Sequence, residues 1–170
     1  MPACFEFSIW KRSRWDRKLE GRLFVRMGGR AVGKYFHVEY EWDIVSIRSQ
    51  LRELAREWGF DELDQSRIAR SVSELLRNVV HHAEKGLLQV ERIERDGKTG
   101  MLIIVQDLGP GISGVSDLMK RVQNSKSADG SGLKLVHQLM DEFSIRTVEG
   151  RGTMVEAIKW LNPAGATADN

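Results

Sequence analysis

Hydrophobic residues recur along this chain with two periods, which together predict a succession of helices and strands. Spacings of three and four residues, typical of one face of a helix, run from Ile44 to Trp58 and from Ile68 to Val80. Two shorter helical patterns follow at 115–122 and 133–140. Apolar or alternating segments bounded by turn residues predict strands at 35–41, 87–94, 101–106, 143–148 and 153–160.

Residues that start and stop helices mark the ends of the two long helices. Asp43 is the predicted N-cap of the first helix, and Gly59 ends it. Asp61 or Asp64 caps the second helix, which stops near Gly86. The sequence therefore predicts two separate helices between the first and second strands.

The order of the elements predicts the fold class. Asp96-Gly97 is a good hairpin signal between the second and third strands, and a final hairpin turns around Gly150 and Gly152. The pattern contains no parallel strand–helix–strand repeat. We therefore expect an α+β fold, a two-layer α/β sandwich in which a mixed, mostly antiparallel sheet is covered by helices on one face.

Length and composition narrow the classes of protein. The 170 residues, 41% of them hydrophobic, fit one globular domain with a sizeable core. The chain lacks an apolar run of about 18 residues and its first residues do not resemble a signal peptide, so we expect a cytoplasmic protein. One cysteine, Cys4, cannot form an internal disulfide, and no Cys/His cluster has the spacing of a zinc site.

Charge is distributed unevenly between the start of the chain and the rest. Residues 1–34 contain nine Lys or Arg and three acidic residues, whereas the remainder contains 17 basic and 21 acidic residues. This basic N-terminal extension could contact nucleic acid or an acidic partner, but a solvated or poorly ordered extension is the favoured interpretation. We expect one main domain at 35–161 and a frayed tail at 162–170.

Glu74 and Asn78 lie four residues apart on the second predicted helix, and therefore on the same helix face. An amide oxygen is a good ligand for a hard cation, and a carboxylate can accept a hydroxyl proton or orient a nucleophile. The alternative is an ordinary exposed pair on a surface helix. The pair alone does not decide between the two.

A glycine-containing segment, Asp107 to Ile112, follows the apolar third strand. Asp107 could accept a hydrogen bond from an exocyclic amine such as adenine N6. Gly109 and Gly111 have no side chain to prevent a flat ring from approaching the backbone. A plain turn explains this segment equally well when it is considered alone.

A second glycine segment, Gly130-Ser131-Gly132, precedes the helix that begins near Leu133. Free N–H groups and the helix dipole at such a position attract an anion, so this segment is a candidate cradle for a triphosphate. Lys126 and the polar loop around it could close over the phosphates as a lid. Thr153 is a candidate for the wall of the base-binding site, or a structural hairpin threonine.

Two other glycine patterns are weaker candidates. Gly109 to Gly114 matches the dinucleotide pattern G-x-G-x-x-G, but its strand lies in a hairpin and no second parallel strand follows. Gly28 to Lys34 matches part of a P-loop, yet Tyr35 replaces the required Ser or Thr and a strand follows in place of a helix.

Taken in order, the candidate segments resemble the N-box, the two glycine boxes and the terminal Gly-Thr of the GHKL ATPase superfamily, whose domain is a sandwich of the Bergerat type. Within it, residues 38–161 most resemble the serine/threonine switch kinases of the bacterial stressosome, relatives of the anti-sigma-factor kinases. The stretches behind this narrower resemblance are 41–45, 140–144 and 157–161.

The resemblance implies a role for each candidate residue. Glu74 would be the catalytic base or water-positioner, and Asn78 would be the Mg²⁺ ligand. The implied ATP-binding residues are Asn78, Asp107, Gly109, Gly111, Ile112, Lys126, Gly130, Ser131, Gly132, Leu133 and Thr153. The loop at 123–129 has fewer glycines than the lid of the family, which puts lid closure in question.

The resemblance also implies a function. Members transfer the γ-phosphate of ATP to Ser or Thr of STAS-domain scaffold and antagonist proteins, and then bind and activate a PP2C-type phosphatase. Two alternatives stay open at this point: an anti-sigma-factor kinase that binds a sigma factor, and a non-catalytic regulator that binds ATP. We expect neither a membrane nor a nucleic acid as partner.

Overall fold

Nine helices and strands follow one another in the computed structural model, which describes residues 33–124 and 132–162. Residues 1–32, 125–131 and 163–170 lie outside the described residues, and with them most of the predicted basic extension, most of the predicted lid and most of the tail. The elements are β1 (Gly33–Val38), α1 (Glu41–Glu57), α2 (Glu62–His82), β2 (Gly86–Arg95), β3 (Lys98–Asp107), α3 (Val115–Asn124), α4 (Gly132–Leu139), β4 (Glu142–Val148) and β5 (Gly152–Trp160).

The five strands form one sheet in the order β1-β2-β3-β5-β4. The predicted α+β class is confirmed, but the sheet is not mixed in the described part of the chain, because all four neighbouring pairs are antiparallel. Strands β1, β2 and β3 follow one another, whereas β5 inserts between β3 and β4. The α3–α4 segment thus crosses over the sheet and brings the chain back to the edge strand β4.

Helix α2 lies at the centre of the helical layer. It packs on β1, β2, β3 and β5, and it also contacts α1 and α4. Its buried apolar residues face alternate residues of the strands, as the predicted helical and strand periods require. Each fully buried aliphatic side chain contributes about 1.5–3 kcal/mol through removal of apolar surface from water. This core includes Ile68, Val72, Leu76, Val79, Leu88, Val90, Ile103 and Val105.

The start of α1 differs from the prediction. The N-cap is Tyr40, and Asp43 is the third residue of the helix. The Asp43 carboxylate accepts from the backbone N–H of Glu39 at 3.0 Å and of Tyr40 at 2.9 Å. Asp43 therefore satisfies donors that precede it, as the third residue of a capping box does. The helix begins three residues earlier than an N-cap at Asp43 would predict. Strand β1 accordingly ends at Val38 and not at Glu41.

The connection from α1 to α2 follows the predicted capping chemistry. Gly59 has a φ of +94° and donates its N–H to the carbonyl of Arg56 at 3.1 Å, so it ends α1 in a left-handed conformation. Asp61 is the N-cap of α2, and its carboxylate accepts from the N–H of Asp64 at 2.7 Å. The turn at Asp96-Gly97 is also as predicted, with positive φ at both residues.

A buried ionic network fixes the start of α2 over the sheet. Asp64, 1% exposed, accepts from Arg67 at 2.9 Å and lies 3.5 Å from the ammonium of Lys159 on β5. Lys159 also donates to Asp141 at 2.9 Å. Since an unpaired buried charge is costly, this network resists sliding of α2 along the sheet.

The described helices include none that is both long and apolar enough to cross a membrane.

Gly152, at the start of β5, is pressed against the end of β3. Its φ is +113°, and a methyl carbon added there would lie 2.0 Å from the carbonyl oxygen of Asp107. The next residue, Thr153, donates its backbone N–H to the Asp107 carboxylate at 3.2 Å. A residue with a side chain at 152 would therefore push the two strands apart at Asp107.

We predict that Gly152→Ala lowers the free energy of unfolding by about 3 kcal/mol or more, because left-handed strain and overpacking add. Gly150→Ala is the matched control, since Gly150 also has a positive φ, +71°, but a methyl carbon there has no atom within 4 Å. The control should lose only about 1–2 kcal/mol, the cost of the left-handed conformation. Urea unfolding of both variants checks this, and equal losses would contradict it.

Candidate functional site

Asn78 lies on α2, one turn after Glu74, as the helical spacing predicts. The side chain is half-buried, yet its amide makes no hydrogen bond to any described residue. Its oxygen is therefore available to a ligand. An amide oxygen free on the face of a rigid helix suits the coordination of a hard cation such as Mg²⁺.

Glu74 faces the beginning of α4. Its Oε1 lies 2.5 Å from Nη1 of Arg77, and its side chain is 25% exposed. A methyl carbon added at Gly132 would lie 2.8 Å from Glu74 Oε2, so the backbone at the start of α4 passes directly over this carboxylate. The structure thus brings together two predicted site residues that are 58 positions apart in the chain.

The second glycine segment is described only from Gly132 onward. Lys126, Gly130 and Ser131 lie outside the described residues, and their roles stay predictions. Leu133 is 9% exposed and belongs to the hydrophobic core, so only its backbone can face a ligand. Gly132 is the first residue of α4, where the helix has N–H groups without intrahelical partners.

Asp107 ends β3 with one carboxylate oxygen fixed by the backbone. Oδ1 accepts from the N–H of Gly109 at 2.9 Å and from that of Thr153 at 3.2 Å. Oδ2 makes no hydrogen bond to a described residue. Burial raises the pKa of Asp107 above its ordinary value of 3.8, and these two N–H groups and the charge of His82 oppose that rise. One oriented acceptor oxygen is left for a donor such as an exocyclic amine.

Gly109 and Gly111 hold the turn after Asp107 close to its neighbours. A methyl carbon at Gly109 would lie 2.7 Å from the Cβ of Ala83, just after α2. At Gly111, where φ is +75°, it would lie 2.6 Å from the carbonyl oxygen of Val148. Both positions require glycine. From the sequence, the approach of a flat ligand was the expected reason. The structure gives an additional reason, the contact with Ala83 and Val148.

Thr147 is a residue of the site that sequence reasoning missed. Its hydroxyl accepts from the N–H of Ile112 at 2.8 Å and lies 3.1 Å from the carbonyl oxygen of Gly152. The Thr147 hydroxyl also lies 3.3 Å from the hydroxyl of Thr153, and the Thr153 residue is 8% exposed. Thr147 therefore joins the turn after β3 to the β4–β5 hairpin. No sequence signal separates it from an ordinary strand threonine.

His82 was not among the predicted site residues, because histidines on a helix are more often structural than catalytic. It follows Asn78 by four residues and so lies on the same face of α2. It directly precedes Ala83, against which Gly109 packs, and its charge lowers the pKa of Asp107.

Helix α2 spans the site between the two glycine segments. Gly132 lies against Glu74, and Gly109 lies against Ala83, nine residues further along. At 1.5 Å per residue, these contacts are about 14 Å apart along the helix axis. Asn78 lies between them. A ligand with a flat base at one end and an anionic group at the other matches this arrangement.

The described residues contain no group of three or more His, Cys, Asp or Glu side chains that could hold a metal ion. Mg²⁺ in phosphotransfer sites is typically held by one or two protein oxygens, with phosphate oxygens and waters completing the shell. The single free amide of Asn78 fits that mode. A cage made entirely of protein ligands is not found in this part of the chain.

Comparison with known proteins gives a family for this arrangement. The family "Histidine kinase-like ATPase domain" matches residues 37–159. The chain is 45% identical, over 121 residues, to the serine/threonine-protein kinase RsbT of Bacillus subtilis, which covers 71% of this chain and 91% of the relative.

A solved structure supports the fold independently of close sequence similarity. In the crystal structure of the SiaB–SiaC complex from Pseudomonas aeruginosa, the matching chain aligns with a TM-score of 0.58 at 14% identity. The alignment covers 76% of this chain and 89% of that one. The chain therefore belongs to the histidine kinase-like ATPase domain family and, within it, to the serine/threonine-protein kinases related to RsbT.

Proposed function

We propose that this kinase uses Mg-ATP to phosphorylate Ser or Thr residues of STAS-domain proteins in a bacterial partner-switching stress cascade, and then binds and activates a PP2C-type phosphatase. The main supporting observation is the position of Glu74. Its carboxylate lies under the glycine backbone at the start of α4, one helical turn from the free amide of Asn78. The proximity of a carboxylate and a candidate cation ligand supports a terminal phosphate bound between them.

The base of the nucleotide lies at the opposite end in this proposal. Asp107 Oδ2 accepts from the exocyclic amine of adenine, because Oδ1 already has two backbone donors. Gly109 and Gly111 form the wall beside the ring. Thr153 positions Asp107 through its N–H, a more indirect role than the wall contact that the sequence suggested.

At the other end, the Asn78 amide oxygen would hold Mg²⁺. The ion, when bound, would neutralise the charge of the phosphates. Glu74 orients the substrate hydroxyl and takes its proton as the oxygen bonds to the γ-phosphorus and ADP leaves. Because phosphoryl transfer depends chiefly on positioning and charge neutralisation, a site with few side chains is chemically sufficient.

We predict that Asn78→Ala abolishes transfer of labelled phosphate from ATP to a STAS-domain partner, since the amide proposed as the Mg²⁺ ligand is removed. The fold should be retained, because the Asn78 side chain makes no hydrogen bond to a described residue. Circular dichroism and an assay combining purified protein, labelled ATP and candidate STAS domains check both points.

Ser66→Ala, an exposed position on the same helix, is the matched control and should keep full transfer. Unchanged transfer by Asn78→Ala would defeat the assignment of Asn78. Nucleotide binding by the wild-type protein without transfer to any STAS domain would instead indicate a non-catalytic ATP-binding regulator. Capture of a sigma factor as the main partner would indicate an anti-sigma-factor kinase.

A second prediction concerns the pH dependence of ATP binding. Near neutral pH, Asp107→Asn should weaken ATP binding about 10- to 100-fold, the range expected for loss of a hydrogen bond to a charged acceptor. Burial raises the pKa of Asp107, so its carboxylate is protonated at a higher pH than an ordinary aspartate. As the pH falls through this raised pKa, the wild-type protein should lose the same interaction and approach the variant.

Calorimetric titration of both proteins with ATP, from neutral pH down through the pKa of Asp107, checks this, because the ratio of the two affinities cancels protonation of the nucleotide itself. The affinity of the wild-type protein should approach that of the variant as the carboxylate is protonated. An affinity ratio that does not change while Asp107 is protonated would show that its carboxylate is not the acceptor for adenine.

A further inference from the structure

Among the described residues, Arg77 is the one whose side chain makes a polar contact with the Glu74 carboxylate. Its Nη1 lies 2.5 Å from Oε1, and no other described residue makes a hydrogen bond to this carboxylate. The other oxygen, Oε2, faces Gly132: a methyl carbon added at Gly132 would lie 2.8 Å from it, closer than to any other atom. The two oxygens of Glu74 thus have different neighbours: one is held by Arg77 and one faces the start of α4.

A glutamate side chain has three rotatable bonds, and a partly exposed one normally populates several rotamers. Glu74 is 25% exposed and could swing toward solvent without its partner. A catalytic group that leaves the productive geometry by even about 1 Å can cost a large part of the rate, on the order of 100-fold. The ion pair with Arg77 limits this motion and directs Oε2 toward Gly132.

We propose that Arg77 is a positioning residue of the kinase reaction, which holds Glu74 so that its free oxygen faces the phosphate end of the site. This inference rests on the proposed role of Glu74 as base. Arg77 is itself 43% exposed, and pairs three residues apart on an exposed helix contribute little to stability. Its effect should therefore be seen in the rate of transfer and not in the folding of the protein.

The test is a double-mutant cycle on the full chain, with transfer from labelled ATP to the STAS-domain substrate of the wild-type protein as readout. Arg77→Ala should lower kcat by about 10- to 100-fold, while the KM for ATP changes by less than about twofold. Arg77→Lys should recover part of the loss, because an ammonium can pair with the carboxylate but lacks the fixed fork of a guanidinium.

In a Glu74→Gln background, Arg77→Ala should lower kcat by less than about twofold further, because the group that it positions is already inactive. Arg70→Ala is the matched control, since Arg70 is an exposed arginine of α2 whose side chain makes no hydrogen bond or ion pair with a described residue. It should leave kcat and KM unchanged.

The outcomes separate this inference from the proposed function. If Glu74→Gln leaves kcat unchanged, the role of Glu74 fails and the proposed mechanism with it. If Glu74→Gln impairs transfer but Arg77→Ala does not, or if Arg77→Ala costs the same factor in both backgrounds, the positioning role alone is overturned. A rise in KM for ATP without a fall in kcat would likewise overturn it and indicate that Arg77 contacts the nucleotide.

Discussion

The site depends on two places where glycine backbone touches the central helix α2. Gly132 lies against Glu74 and Gly109 lies against Ala83, so closely that a methyl carbon at either glycine would require neighbouring atoms to move. The start of α4 and the turn after β3 are thus packed against the same helix or the residue that follows it. This helix is also tied to the sheet by the buried pair of Asp64 and Lys159, so the two ends of the site share one support.

Much of this arrangement was predictable because local chemistry determines it. The period of apolar residues located α2, and the spacing of Glu74 and Asn78 placed both side chains on one face. Turn chemistry at Gly59 and Asp96-Gly97 was equally local and is confirmed. The combination of the motifs also gave the family, since each motif alone was compatible with an ordinary helix or turn.

What the sequence did not predict are contacts between distant segments and choices between equivalent residues. Thr147 looks like any strand threonine, and only the pairing of β4 with β5 brings its hydroxyl to Ile112 and Gly152. Aspartate is a common N-cap residue, but Asp43 is the third residue of α1. Its carboxylate accepts hydrogen bonds from the backbone N–H groups of Glu39 and Tyr40, which precede it. The mixed sheet was wrong for the described strands because the order in which β5 inserts depends on tertiary packing.

The two carboxylates of the site are held by different means, and under the proposed function these means would separate nucleotide binding from phosphoryl transfer. Asp107 is held by backbone N–H groups, which persist as long as β3 and β5 pair. Glu74 is held by one described side chain, Arg77, on a partly exposed helix face. A chain that lost the Glu74–Arg77 pair would therefore keep the backbone contacts that hold Asp107. Under the proposed roles of the two carboxylates, the step from a kinase to a regulator that only binds ATP would thus be short, because it would need a change at Glu74 and not in the fold.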